Sequence, residues 1–450
     1  MPPPLALLAA YALAFWAIRK DSRENPYPSA VLWLPTLWLM RCASRTVDYW
    51  LGGGETGRLD PLLIALMLIL GIFVLVRRST TVNCLVSQNS GAILFYIVIL
   101  ISPLWAEDIA ASAIKVLRPL GDLAMAMIVV TEPEPRRAIM TIFRRNAFLL
   151  IPLSIVVIRY YPQLGRMPDK HWGLDSWTGV TTHKNPLGQL CFASTLAFFW
   201  SLHEAKTAGQ KLGKRYVDWL YLGMILYILN GGGEASSRSS TSMLCITLTI
   251  GLFIWFGYMK ASIQKLLRRI ILGAIGILLL AGLLQLFGTS LQGVVAGMYG
   301  KDATLSDRTY LWDDVIRIGA ENPILGTGYG SFWTASIYPK LSPMVDNGPA
   351  EAHNGYLETF ANLGLVGVFF LIVFIIQSIK SASTHIRSDF EYGRMRITVI
   401  FTILIMNYSE ATFPRGTHLW WFGFLVFALY IRRPNIDNET PTITQRISYA

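Results

Sequence analysis

Three stretches of this 450-residue chain bring together residue types that could handle a phosphate or a proton. In Leu305-Ser306-Asp307-Arg308-Thr309-Tyr310-Leu311-Trp312 a cap precedes an amphipathic helix, with Leu311, Val315 and Ile318 on one face and Asn322-Pro323 as its stop. Arg308 therefore falls at a helix N-terminus, where backbone N–H groups and the helix dipole favour an anion and a guanidinium adds a two-pronged donor. The plainer alternative is a pairing with Asp307 or another carboxylate. In Glu234-Ala235-Ser236-Ser237-Arg238-Ser239-Ser240-Thr241-Ser242 a glycine turn, Gly231 to Gly233, leads into a long apolar run. Arg238 then sits at a membrane interface, placed for a lipid-linked phosphate or simply snorkelling to headgroups. In Ala352-His353-Asn354-Gly355-Tyr356-Leu357-Glu358, His353 could take a proton from a hydroxyl, although a single histidine is more often a cap or a packing residue.

Gly326-Thr327-Gly328-Tyr329-Gly330 with Phe332 and Trp333 forms a tight turn edged with aromatics, which could stack on sugar rings or form an interface belt. Smaller signals are Lys115 and Arg118 inside an apolar run, Thr182-His183-Lys184-Asn185 before another, and Glu410 and Arg415 near the end of a third. Intramembrane charge is costly and hints at function. The chain has no D-x-D pair, no G-x-x-x-x-G-K-[ST] loop, no H-E-x-x-H and no G-x-S-x-G. That argues against ATP-driven pumps, zinc proteases and serine lipases, and no metal or cofactor is expected.

The elements that must position these residues are membrane helices. With 53% hydrophobic and 15% charged residues and a mean hydropathy of +0.44, the chain is too apolar for a soluble fold. Apolar runs near the ~20 residues of a bilayer span recur throughout. They fall near 3–18, 29–43, 61–76, 91–105, 113–131, 147–161, 186–204, 216–230, 239–258, 270–288, 357–377, 397–413 and 417–431. The expected fold is all-α, a polytopic bundle of 12 or 13 transmembrane helices with one large loop containing short helices. Its regions are 1–185, 186–288 with Arg238 at the outer face, the outer loop 289–356, the helices of 357–431 and an inner tail 432–450.

The net charge of +11 comes in short clusters between apolar runs, so it reads as topology rather than nucleic-acid binding. Segments 19–28, 77–90, 132–146, 205–216, 259–270, 378–396 and 432–450 alternate with outer loops and hold 24 of the 39 Lys and Arg residues. This threading sends the N-terminus outward on a retained helix and puts 162–185 and 289–356 on the outer face. Cys42, Cys84, Cys191 and Cys245 have neither disulfide nor metal spacing and read as packing residues.

The ordered set Ser306-Asp307-Arg308…Trp312, Asn322-Pro323-Ile324-Leu325-Gly326-Thr327-Gly328-Tyr329-Gly330-Ser331-Phe332-Trp333, Ala352-His353-Asn354-Gly355-Tyr356-Leu357-Glu358 and Leu363-Gly364-Leu365-Val366-Gly367 resembles the O-antigen ligase and polymerase family. The resemblance runs from about Thr182 to Gly367. It implies a multi-pass glycosyltransferase of the bacterial inner membrane, with its site facing the periplasm and a glycan on undecaprenyl pyrophosphate as donor. Arg238, Arg308 and His353 then correspond to the family's catalytic residues. Lys184, Asn185, Trp312, Tyr329, Trp333 and Asn354 are the expected substrate contacts. The implied partners are the lipid-linked donor, a glycan or lipid-linked acceptor, the bilayer and other polysaccharide assembly and export proteins.

Breaking a sugar–pyrophosphate bond builds negative charge that arginines at helix N-termini can stabilise without a metal, and an acceptor hydroxyl needs a base such as His353. Direct displacement would invert the anomeric centre. A polymerase of exopolysaccharide or O-antigen repeat units is the reading, with a ligase to lipid A core as the alternative. A secondary transporter or lipid-linked glycan flippase would instead concentrate polar residues at the bilayer midplane in broken helices. A non-catalytic scaffold would leave the arginines and the histidine without a role.

Overall fold

The computed structural model describes residues 2–24, 29–52, 54, 57–168, 175–233, 237–258, 308–342 and 349–432, with backbone alone at 308 and 309. Twelve of the thirteen expected spans coincide with a helix, and the protein is an all-α polytopic bundle. The thirteenth span, 270–288, lies outside the described residues, as do 289–307 of the outer loop and all but Arg432 of the inner tail. A two-stranded antiparallel pair, Arg166–Pro168 with Asp175–Trp177, interrupts the helices in the segment 162–185.

Among the described helices, Leu59–Arg77, Pro135–Tyr160, Ser240–Tyr258 and Gly355–Ser388 are long and apolar enough to cross a bilayer unaided. Ser79–Gln88 and Ser90–Trp105 make a further span if their 94° bend is a single broken crossing. Other helices are shorter. Leu419–Ala428 has ten residues, all buried. At about 1.5 Å per residue it covers only half of a ~30 Å hydrocarbon core. It is apolar on every side because neighbouring helices surround it.

The span expected at 357–377 is broken. Within Gly355–Ser388 the backbone leaves the helix at Gly364, with φ 62° and ψ −164°, a region open essentially to glycine alone. The break would strand backbone groups, and the glycine-rich turn of the loop fills it. Leu365 N–H donates to Pro323 O at 2.8 Å and Val366 N–H to Ile324 O at 3.1 Å. In return Thr327 N–H donates to Ala361 O at 3.1 Å and Gly328 N–H to Asn362 O at 2.9 Å. The approach leaves no room for side chains: a Cβ on Gly364 would lie 2.3 Å from Ile324 O, and one on Gly326 would lie 2.6 Å from Gly364 N.

The basic cluster at 132–146, expected as an inner loop, is helical from Pro135 onward, and two of its members, Arg144 and Arg145, are buried. The Arg144 guanidinium bonds Asp21 at 2.8 Å and Asp218 at 2.9 Å, and Ser201 Oγ donates to the second Asp218 oxygen at 2.7 Å. This clasp joins Pro3–Glu24, Pro135–Tyr160, Lys184–Thr207 and Tyr216–Leu229. In a low-dielectric interior each charge is tolerable only because the others are present.

Two outcomes follow. Gly364→Ala forces a Cβ into a carbonyl at a forbidden φ, with a strain of ~1–3 kcal/mol, so its melting midpoint in detergent falls by several degrees. Arg144→Met strands two buried carboxylates and costs about 3–5 kcal/mol, of which Asp21→Asn and Asp218→Asn in the same chain recover part. Heating followed by size-exclusion detection of the folded fraction checks both.

Candidate functional site

The loop re-enters the bundle at Asn354, whose Oδ1 caps the helix Gly355–Ser388 by accepting from the N–H groups of Tyr356 (3.0 Å) and Leu357 (3.2 Å). Gly355 N–H donates to Asn407 O at 2.8 Å, and a Cβ on Gly355 would lie 2.0 Å from Asn407 Oδ1. Asn407 closes the helix Phe390–Met406. Its own Oδ1 accepts from Thr412 N–H, Thr412 Oγ1 and Phe413 N–H at 3.1, 2.8 and 3.0 Å, which shapes the turn carrying Glu410 and Arg415. One buried amide thus fixes this turn and the end of the outer loop against each other.

His353 lies where these two segments meet. Among the described residues it and Thr417 are the two non-glycine residues with positive φ, 49° and 57°. Such strain persists only where the surroundings over-determine it, and it gathers at functional sites. Glu351 Oε1 is 3.0 Å from His353 Nδ1, and the other Glu351 oxygen contacts the Arg415 guanidinium. Donor atoms of Glu351, His353 and Glu410 all lie within 4.8 Å of one another. Glu410 is buried at 5% exposure and accepts from Asn185 Nδ2 at 3.1 Å. The His353 side chain remains 37% exposed. This is the group of described residues that could hold a cation, although Arg415 and Asn185 already engage two of its carboxylate oxygens.

The expected site residues separate into those that face this cluster and those that build it. Asn185, in the first turn of Lys184–Thr207, reaches the cluster directly, and Lys184 opens the same helix. Arg238 is exposed two residues before Ser240–Tyr258, with Nε 3.4 Å from Asn230 O. Ser239 and Ser242 pack on Gly188, where a Cβ would lie 2.5 Å from Ser242 Oγ, so Arg238 stands beside the helix that begins at Lys184. Arg308 is the first residue of Arg308–Gly319, as the sequence requires, and its side chain lies outside the described residues. One turn on, Trp312 Nε1 donates to Ala352 O at 2.8 Å and its ring meets Tyr408 at 5.4 Å. The helix start is thereby docked next to His353, while Leu311, Val315 and Ile318 bury against Phe332, Ile337 and Ala361.

The remaining expected contacts have internal work. The Asn354 side chain is spent on the cap. Tyr329 is 8% exposed, and its hydroxyl donates to Pro414 O at 2.8 Å and accepts from Gly416 N–H at 3.1 Å. Burial pushes that hydroxyl well above the ordinary phenol range. Trp333 Nε1 donates to Glu358 at 3.0 Å. Trp312, Tyr329, Trp333 and Asn354 therefore each commit a polar atom to holding the site together, while the rings of Trp312 and Trp333 stay partly exposed. Glu351 escaped sequence reading altogether. Its one signal was a carboxylate two residues before His353, which means nothing until the turn with Arg415 is known to close over it.

The O-antigen ligase family model matches residues 225–372, a segment that contains Arg238, Arg308, His353 and the break at Gly364. Lys184, Asn185, Glu410 and Arg415 lie outside it. The chain is also 24% identical over 217 residues to the exopolysaccharide production protein ExoQ of Rhizobium meliloti (strain 1021), an alignment that covers 46% of each chain. It thus spans about half the length of the curated relative it matches. The motifs that resembled the family in sequence thus lie largely inside the matched segment, and over that segment this polytopic membrane chain is similar to the O-antigen ligase family.

Proposed function

We propose that this protein is a glycosyltransferase of the bacterial inner membrane that polymerises repeat units of an exopolysaccharide, carried on a polyprenyl diphosphate, at the periplasmic face. The observation that carries this reading is the His353 cluster, an exposed imidazole with one ring nitrogen 3.0 Å from a carboxylate that an arginine engages. With the proton kept on Nδ1 towards Glu351, Nε2 is the ring nitrogen that accepts one, the arrangement in which a carboxylate orients a base. An acceptor hydroxyl gives its proton to His353 as its oxygen bonds the anomeric carbon. The bond from that carbon to the diphosphate oxygen breaks, and the polyprenyl diphosphate leaves. Arg238 and Arg308 offset the charge that grows on it. Attack opposite the leaving group inverts the anomeric centre. The activated donor supplies the energy.

The printed name of the relative, an exopolysaccharide production protein, supports a polymer-forming role. The family description, O-antigen ligase, supports the second reading, transfer of a finished glycan to another acceptor. The transporter reading draws on the broken helix at Gly364, yet the protein's own loop backbone packs into that break, with Thr327 and Gly328 N–H donating to Ala361 O and Asn362 O.

In a deletion strain complemented at matched protein levels, His353→Ala and Arg308→Ala each abolish long polymer and leave single repeat units, as resolved by gel electrophoresis of extracted polysaccharide. Long chains still attached to the lipid carrier would identify a ligase. A full wild-type pattern from both variants would sink the enzyme reading. Glu351→Gln weakens the hold on His353, so kcat falls by about 10–100-fold with KM little changed, and the pH profile of the rate shifts. A fall confined to KM would make Glu351 a substrate contact.

A further inference from the structure

Cations reach His353 by two routes. Through Glu410 and Asn185 the route leads to the helix start that Arg238 adjoins, and through Glu351 it leads to Arg415 and on to the helix Ile109–Val130. The turn after Arg415 packs directly on that helix: a Cβ on Gly416 would lie 2.6 Å from Arg118 Cβ. Arg118 and Arg415 are both exposed, and they are close enough for their charges to repel. Lys115, three residues before Arg118 and on the same helix face, is exposed too and donates to Gly330 O.

Arg415 is balanced by Glu351, whereas Arg118 has neither a hydrogen bond nor an ion pair among the described residues, and Lys115 bonds a neutral carbonyl. The nearby carboxylates are engaged elsewhere. Asp122, one turn beyond Arg118, accepts from Trp38 Nε1 at 2.7 Å and Thr417 N–H at 2.8 Å. Glu107 takes the hydroxyls of Thr334 and Ser336, Asp108 caps Ala111, and Glu358 holds Ala352 N–H, Trp333 and Asn362. Two uncompensated positive charges therefore stand about 9–14 Å along a membrane helix from its start at Ile109. Around them Ile109, Ile114 and Leu117 are exposed apolar side chains. An amphiphile with a doubly charged head and an apolar tail complements such a surface. A diphosphate diester carries two negative charges, and a phospholipid phosphate diester carries one.

We infer that Lys115, Arg118 and Arg415 form a second lipid-diphosphate site, which holds the acceptor substrate beside His353 while Arg238 and Arg308 hold the donor. The inference rests on the glycosyltransferase reading and refines it. Joining two repeat units requires two lipid-linked glycans at once, one whose diphosphate leaves and one whose diphosphate stays. Transfer to an acceptor without that carrier requires only one such site.

The test is binding stoichiometry, which does not depend on turnover. The full chain is placed in phosphatidylcholine nanodiscs, titrated with undecaprenyl diphosphate and counted by native mass spectrometry. Wild type is expected to bind two molecules, Lys115→Gln with Arg118→Gln one, and that variant with Arg238→Gln added none, while Arg118→Lys keeps two. Saturation at one molecule or none in wild type would overturn the inference, as would two molecules on the double glutamine variant. So would equal displacement from the second site by phosphatidylglycerol, the mark of a bulk-lipid surface. Melting midpoints within a few degrees of wild type exclude misfolding, and a misfolded double variant is replaced by Arg118→Lys with Lys115→Arg, for which two sites are expected. His353→Ala keeps both sites. If that variant still forms polymer, the base assignment fails while the two-site inference stands.

Discussion

A helix that stops inside an apolar stretch leaves N–H and C=O groups with no water to bond, and each unsatisfied pair costs several kcal/mol. The break at Gly364 is therefore affordable only because the turn 323–328 supplies the missing partners, two donors and two acceptors in register. Much of the site hangs on this interlock. It fixes the glycine-rich turn against the membrane helix, and that turn places Tyr329 between Ser102, Ser112 and Pro414. It also ties the outer loop to the helix whose N-cap follows His353. The glycine-aromatic motif and the Leu363-Gly364-Leu365 motif, more than 30 residues apart in the chain, are two halves of one backbone contact.

Electrostatics is handled differently at the site and elsewhere. Away from it, several charges are held by partners: Arg144 has Asp21 and Asp218, Arg78 has Glu132, and Arg396 donates to the carbonyls of Phe427, Ala428 and Leu429 at the end of the buried helix Leu419–Ala428, while the buried Arg145 lies over the Trp33 ring. Those networks lock helices together. Near His353 the balance is deliberately incomplete. His353, Arg118, Arg238 and Arg415 retain exposure, and a strained backbone holds His353 and Thr417 in place. Fully paired charge gives rigidity, and exposed cations in an apolar surround suit an anionic amphiphile.

The small signals of the sequence prove as informative as the large ones. Lys115, Arg118, Asn185, Glu410 and Arg415 each looked like isolated intramembrane or interfacial polarity, and the fold gathers Asn185, Glu410 and Arg415 around Glu351 and His353, with the turn after Arg415 packed on Arg118. The aromatics that invited a sugar-binding reading, Trp312, Tyr329 and Trp333, instead spend their polar atoms on the carbonyls and carboxylates that hold the loop. A buried indole or phenol needs a hydrogen-bond partner, and here the partners are the site's own scaffold.

Hydropathy by itself determined that this is a many-helix membrane protein and where twelve of its helices lie, because a bilayer demands ~20 apolar residues and punishes polar ones. The cap-and-stripe pattern likewise determined the helix that begins at Arg308 and the face it buries, since helical periodicity is a local property. Positive-charge clusters proved less legible: a lysine or arginine held at a membrane surface and one paired inside a bundle have the same spelling, and Arg144 turned out to be the second kind. Only the tertiary structure decided that Gly364 breaks its helix, that Glu351 and Arg415 close on His353, and that Asn354 caps a helix while the Tyr329 hydroxyl bonds the turn at Pro414 and Gly416. Each of these depends on contacts between segments tens to hundreds of residues apart, where the geometry of backbone approach, rather than residue type, chooses the partner.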